Sequence, residues 1–199
     1  VCLGLDVGIK RLSQMNMIIA VCLLVLVLLL GPTVFILNAM VQNAGVYLNQ
    51  LIQLSTWTEA YNTSVYQNGY TLFYFTWWFA WAPFVSLFIA RISYGRTVKE
   101  FIIGVLIVPS LIVFIWMGVF GNASIYLVLN SIGDIGSAVS SNASTALFVL
   151  FDSLSFAKPL SLISLVLIVT FFVTSSDSGA LVASMLSSKR HIDISSDSP

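Results

Sequence analysis

Four segments of this chain hold one charged side chain between them. Met17–Leu37, Tyr70–Ala90 and Phe101–Phe120 contain no Asp, Glu, Lys or Arg, and Leu160 to about Ser184 contains only Asp177. Each is about 20 residues long, the length an α-helix needs to cross the hydrocarbon core of a bilayer. None alternates with the period of two that a membrane strand requires. A spanning segment must satisfy its own backbone N–H and C=O groups, and with strands set aside only the helix does so. Composition closes off a soluble domain: 8% of residues are charged and 58% hydrophobic, against about 25% charged in aqueous proteins. The expected class is an all-α membrane protein with about four transmembrane helices. A net charge of zero offers no basic surface for nucleic acid.

Loop charges orient the spans. Lys10 and Arg11 precede the first, Arg91, Arg96 and Lys99 lie between the second and third, and Lys189 and Arg190 follow the fourth. Only Lys158 lies on the other side, so seven of the eight basic residues share the face that the positive-inside rule assigns to the cytoplasm. The expected organisation is a lead-in and first span over 1–38, an outer connection over 39–69, three spans over 70–188 and a polar tail over 189–199. Ala39–Leu54 mixes Val41, Leu48, Leu51 and Ile52 with Gln42, Asn43, Asn49 and Gln50. It either lies on the outer surface as an amphipathic helix or continues the first span beyond the headgroups. Gly121–Ala157 reads as a long outer segment with short surface helices. Asn62, Asn122 and Asn142 match the glycosylation acceptor pattern, which carries no meaning in a bacterial cytoplasmic membrane. The chain starts at Val1 with neither Met nor a signal-peptide pattern and reads as an internal piece of a longer protein. Cys2 and Cys22 suggest neither a disulfide framework nor a metal site.

The second span is unusual for its tryptophans. Trp77, Trp78 and Trp81 sit near its middle, whereas membrane proteins gather Trp and Tyr at the water interfaces. On a helix, Tyr74, Trp78 and Trp81 form one stripe, and Phe73, Trp77, Trp81, Phe84 and Phe88 form an adjoining one. Pro83 removes a backbone donor two residues after Trp81 and predicts a break in the helix. Aromatic faces at this depth suit a cation with no hydrogen-bond donor of its own, such as a quaternary ammonium group. Plain packing is the competing reading of the same spacing.

The residues around the tryptophans are more specific than their spacing. Trp77-Trp-Phe-Ala-Trp-Ala-Pro-Phe-Val, followed by Phe88-Ile-Ala-Arg-Ile-Ser-Tyr-Gly-Arg-Thr, resembles the signature of the betaine/choline/carnitine transporter family. Gly8-Ile-Lys-Arg-Leu-Ser, Gly31-Pro-Thr-Val-Phe, Val108-Pro-Ser and Phe171-Phe-Val-Thr-Ser-Ser-Asp-Ser are similar to further family segments. The resemblance implies part of a LeuT-like inverted-repeat bundle, in which the first span closes one repeat, the Ala39–Leu54 helix bridges, and the other spans open the second. It implies a secondary transporter for betaine, choline, carnitine or similar quaternary ammonium solutes. Trp78 and Trp81 would line an aromatic cage, with Trp77 and Phe73 along the pathway beside it. Phe84 matches a position near a second ion site. The hydroxyls of Thr174 and Ser175 and the carbonyl of Phe171 would form half of a sodium site, and the other half belongs to a helix outside this chain. Sodium coupling, proton coupling and sodium-independent exchange all stay open. A homotrimer of the full-length protein is compatible with the resemblance.

Hard cations such as sodium prefer oxygen ligands, which the run Thr174-Ser-Ser-Asp-Ser supplies. Asp177 is either a functional intramembrane carboxylate or a group within reach of water and of Lys189 or Arg190. Arg91, Arg96, Lys99 and Glu100 form either shifting ion pairs or a simple topogenic loop. Other classes fit less well. The only histidine, His191, has no metal-ligand companions. The serines near Asp177 lack an activating base. A channel calls for a ring of like charges, which no span shows. A structural membrane subunit is disfavoured only by the specificity of the signature. No cofactor is expected beyond a sodium ion.

Overall fold

A computed structural model describes residues 5–61 and 66–187. The described part is helical: α1 (Leu5–Leu30), α2 (Thr33–Ser55), a π-helical segment (Gln67–Leu72) leading into α3 (Phe73–Ile92), α4 (Val98–Ile102), a π turn (Ile103–Ile107) leading into α5 (Val108–Leu129), α6 (Ile135–Asn142), α7 (Ala146–Asp152) and α8 (Ala157–Ser187). Four stretches are long and apolar enough to cross a membrane: Arg11–Leu30, Gln67–Ala90, Val98–Leu129 and Ala157–Ser184. The tail beyond residue 187, with Lys189, Arg190 and His191, lies outside the described residues, as does Asn62.

The first span ends earlier than its composition suggests. Gly31 and Pro32 separate α1 from α2, because Pro32 has no N–H to continue the ladder. A Cβ at Gly31 would stand 2.7 Å from the Val27 carbonyl oxygen, so the corner is built for glycine. Thr33 ties it down by donating its hydroxyl to the Leu28 carbonyl at 2.6 Å. The helix expected to start at Ala39 therefore begins at Thr33, and Leu37 belongs to it. The third span is longer than Phe101–Phe120. Gly121–Leu129 continues α5 and is not an outer loop.

The core is a stripe from α1 (Ala20, Leu23, Val27) against α8 (Leu160, Leu167) and α5 (Val119, Phe120, Ala123, Leu127), closed at one end by Leu150 and Phe151 of α7. Membrane helices associate by close packing and interhelical hydrogen bonds, and both occur where α2 lies on α5. Phe35 meets Tyr126 with ring centroids 5.1 Å apart, and the Asn43 amide donates to the Asn122 side-chain oxygen at 3.1 Å. Asn122 is thus a buried interhelical partner, not an outer acceptor. Below it, a Cβ on Gly118 would come within 2.9 Å of Met40. Gly118→Leu is expected to force α2 away and cost about 1–3 kcal/mol. That cost should appear as an earlier midpoint in a denaturing detergent titration, with helix content unchanged.

Candidate functional site

α3 carries the aromatic wall and leans on α8. It runs unbroken through Pro83, contrary to the break predicted for that position. One missing donor removes one rung, and the turns on either side hold. Downstream, the Ser86 hydroxyl donates to the Pro83 carbonyl at 2.9 Å. Without a break, the indoles keep strict helical register. Trp77 and Trp81 lie 6.1 Å apart and tilted, and Trp81 meets Phe84 edge-on at 5.4 Å. Trp78 packs on Tyr74 at 6.5 Å and edge-on against Phe75 at 5.5 Å. These are the offset and edge geometries that aromatic quadrupoles favour. About half of each indole remains exposed: 49% for Trp77, 56% for Trp78 and 46% for Trp81.

Two open clefts lie along the α3–α8 seam. One, of about 510 Å³, is lined by Trp77, Trp78, Trp81, Ala82, Val85 and Ser175. The other, of about 400 Å³, includes Ser13, Trp81, Phe84, Phe171, Thr174 and Ser175 in its lining. Trp81, Val85 and Ser175 belong to both. The structure therefore brings together three of the four cage and pathway residues in one cleft, and Phe84, Phe171, Thr174 and Ser175 in the other. Phe73 lies outside both, edge-on to Tyr74 at 5.5 Å. Gly179 of α8 faces Phe84 of α3. A Cβ there would meet the ring at 3.8 Å.

The chemistry of the second cleft follows from its hydroxyls. Thr174 donates to the carbonyls of Phe171 at 3.0 Å and Thr170 at 3.2 Å, as membrane-helix threonines commonly do. Its hydrogen is used, which leaves oxygen lone pairs to accept. Ser178 donates to the Thr174 carbonyl at 2.9 Å. Asp177, half-buried, lies outside both clefts. The chain's pattern of hydroxyls on α8 pointed to this wall. It did not single out α1, which adds Ser13 to the cleft and places Asn16 one turn further along. Asn16 is fully buried, and neither atom of its amide has a hydrogen-bond partner among the described residues. The signal was present: Asn16, Ala20, Leu23 and Val27 share one helical stripe, and Asn16 is the polar member of a core face. In the Arg91–Glu100 loop, Glu100 is engaged locally. It accepts from the Thr97 N–H and hydroxyl, each at 3.0 Å, in a capping box for α4.

The profile of the betaine/carnitine/choline transporter family matches residues 1–198. The chain belongs to this family. It is 45% identical over 199 residues to a glycine betaine transporter of Acinetobacter baylyi, covering 99% of this chain and 29% of that protein. It is 42% identical over 190 residues to glycine betaine transporter 1 of Vibrio parahaemolyticus, covering 96% of this chain and 36% of the relative. A glycine betaine/proline/choline/ectoine transporter of the same Vibrio species is 38% identical over 190 residues, 96% of this chain and 34% of the relative. The chain thus spans about a third of the length of these family members. Family membership and four helices long and apolar enough to cross a membrane identify a multi-pass membrane protein of a transporter family, not an enzyme.

Proposed function

We propose that this chain forms one half of the translocation site of a secondary transporter for betaine-like quaternary ammonium solutes, working by alternating access and coupled to sodium. The observation that carries the reading is the shared wall. Trp81, Val85 and Ser175 line both an aromatic cleft and a hydroxyl cleft, so a solute in one and an ion in the other would share these three residues. The indole faces of Trp77, Trp78 and Trp81 attract a methylated cation through their quadrupoles. The hydroxyls of Thr174 and Ser175 and the Phe171 carbonyl are hard donors of the kind sodium takes. The remaining walls come from the part of the full-length protein outside this chain, and the full-length protein assembles as a homotrimer in this reading.

Uptake of labelled betaine, choline and carnitine by the full-length protein in proteoliposomes, with and without a sodium gradient, tests the reading. Saturable betaine uptake that rises with sodium is expected. Uptake indifferent to sodium but driven by an opposing solute gradient would replace symport by exchange, and absence of all three fluxes would overturn the transport reading. The 199-residue chain by itself is expected to show no saturable uptake, since each site is half built.

A further inference from the structure

Glu59 is the only charged residue between Arg11 and Arg91. It stands in the loop that joins α2 to the π-helical lead-in of α3, and its φ of 55° is left-handed. A long side chain rarely takes that conformation, and where one does its surroundings hold it there. Here the holder is Gln67. Its backbone N–H donates to the Glu59 Oε2 at 3.3 Å, and its side-chain amide donates to the Trp57 carbonyl. At the other end, the Thr56 N–H and hydroxyl both donate to the Ile52 carbonyl, at 3.1 and 2.9 Å. The loop is thus pinned to both of the helices it connects.

Between these pins the loop forms a cavity of about 210 Å³. Its lining is six consecutive residues, Thr56, Trp57, Thr58, Glu59, Ala60 and Tyr61, so its shape is set locally and not by a distant helix. An indole, a phenol and a half-buried carboxylate therefore share one small space. The hydrogen bond from Gln67 orients the carboxylate without cancelling its charge. Aromatic faces attract a cation through their quadrupoles, and the carboxylate adds a full opposite charge. A quaternary ammonium head suits these groups because it has no N–H to satisfy. A primary ammonium or a hard metal ion would need further oxygen acceptors. The same loop leads straight into the aromatic helix. Tyr66 and Tyr70 follow it with ring centroids 5.2 Å apart, and Trp78 lies about 16 Å beyond Gln67 along the helix axis.

We infer that the 56–61 loop is a second binding site for dissolved quaternary ammonium cations, separate from the aromatic cleft on the α3–α8 seam. It sits at the end of α3 opposite the basic Arg91–Lys99 loop, the end that the positive-inside rule assigns to the outside. Trp57 and Tyr61 receive the methyl groups, and Glu59 supplies the counter-charge. The site prefers choline-like cations to betaine, because betaine's own carboxylate is repelled by Glu59. A role in loading the cleft on α3 rests on the function proposed above, but the binding itself does not.

The test uses the full-length protein labelled with 5-fluorotryptophan, in nanodiscs of phosphatidylethanolamine and phosphatidylglycerol, read by fluorine NMR. Trp57→Phe assigns the Trp57 resonance by its loss. Titration with tetramethylammonium chloride should move that resonance along a saturable curve, and sodium chloride at equal ionic strength should not. Glu59→Gln keeps an acceptor for the Gln67 N–H and removes only the charge. It should weaken the cation about fivefold, with the other indole resonances in place to show that the variant folds. In the parent, betaine should need about fivefold more than choline for the same shift, and the gap should close in Glu59→Gln. Absence of a saturable shift, the same shift with sodium chloride, equal responses to choline and betaine in the parent, or a curve unchanged by Glu59→Gln overturns the site. In discs that contain phosphatidylcholine the curve should be the same. A resonance already shifted there before any cation is added would give the site to a lipid head group and overturn the dissolved ligand. The measurement needs no flux, so a failed titration and a failed uptake assay are separate results.

Discussion

Trp81→Leu in the full-length protein should abolish measurable betaine uptake, whereas Trp78→Leu should raise the betaine KM and leave sodium activation unchanged. The difference follows from position. Trp78 lines only the aromatic cleft, and Trp81 lines that cleft and the hydroxyl cleft. Removing one indole face from a desolvated cation site costs about 2 kcal/mol, or about 30-fold in affinity. Trp81 also meets Phe84 edge-on and Trp77 at a tilt, so its loss loosens both clefts at once. Leucine keeps much of the bulk, which directs the effect to the ring's face rather than to a cavity. Trp81→Phe should recover part of the uptake, because a benzene ring retains a weaker quadrupole. Surface biotinylation reports insertion, which should match the parent in all three variants. Sodium activation shifted equally by Trp78→Leu and Trp81→Leu would remove the distinction between the clefts.

How far the sequence foretold this arrangement depends on what kind of interaction fixed each part. The spans were legible because the membrane imposes a local rule, about twenty residues without charge, and each residue is judged on its own chemistry. Their ends were not. Gly121–Leu129 looks like loop because it opens with Gly, Asn and Ser, yet the Asn122 side-chain oxygen accepts from Asn43 across 79 positions of sequence. A polar residue whose partner lies on a distant helix cannot be told from one that faces water. The Pro83 break failed for the opposite reason. The local rule was applied fully, but loss of one rung leaves the flanking turns of α3 intact. The aromatic and hydroxyl walls were each readable on their own helices. Their meeting at Trp81 and Ser175 was not, nor was the entry of Ser13 from α1, because both depend on how α1, α3 and α8 cross.

Thr174→Val should shift the sodium concentration for half-maximal uptake upward by about tenfold, with the betaine KM at saturating sodium close to the parent value. The substitution is clean at this position. Thr174 is 9% exposed, so a side chain of nearly the same shape fits without a cavity. Its hydroxyl donates to the Thr170 and Phe171 carbonyls, which also accept from the helix backbone, so the helix loses no obligatory bond. What disappears is one hard oxygen facing the cleft beside Ser175 and Phe171, and with it part of the preference for a small hard cation. Thr174→Ser restores the oxygen and should restore the sodium curve. Thr170→Val supplies the control. It removes a hydroxyl with the same back-bonding habit, to Val166 at 2.8 Å, at a position outside the cleft lining, and should leave the curve in place. Sodium curves that overlay for Thr174→Val and the parent would show that the hydroxyl cleft does not hold the coupling ion. The function of α8 would then reduce to supporting the aromatic wall.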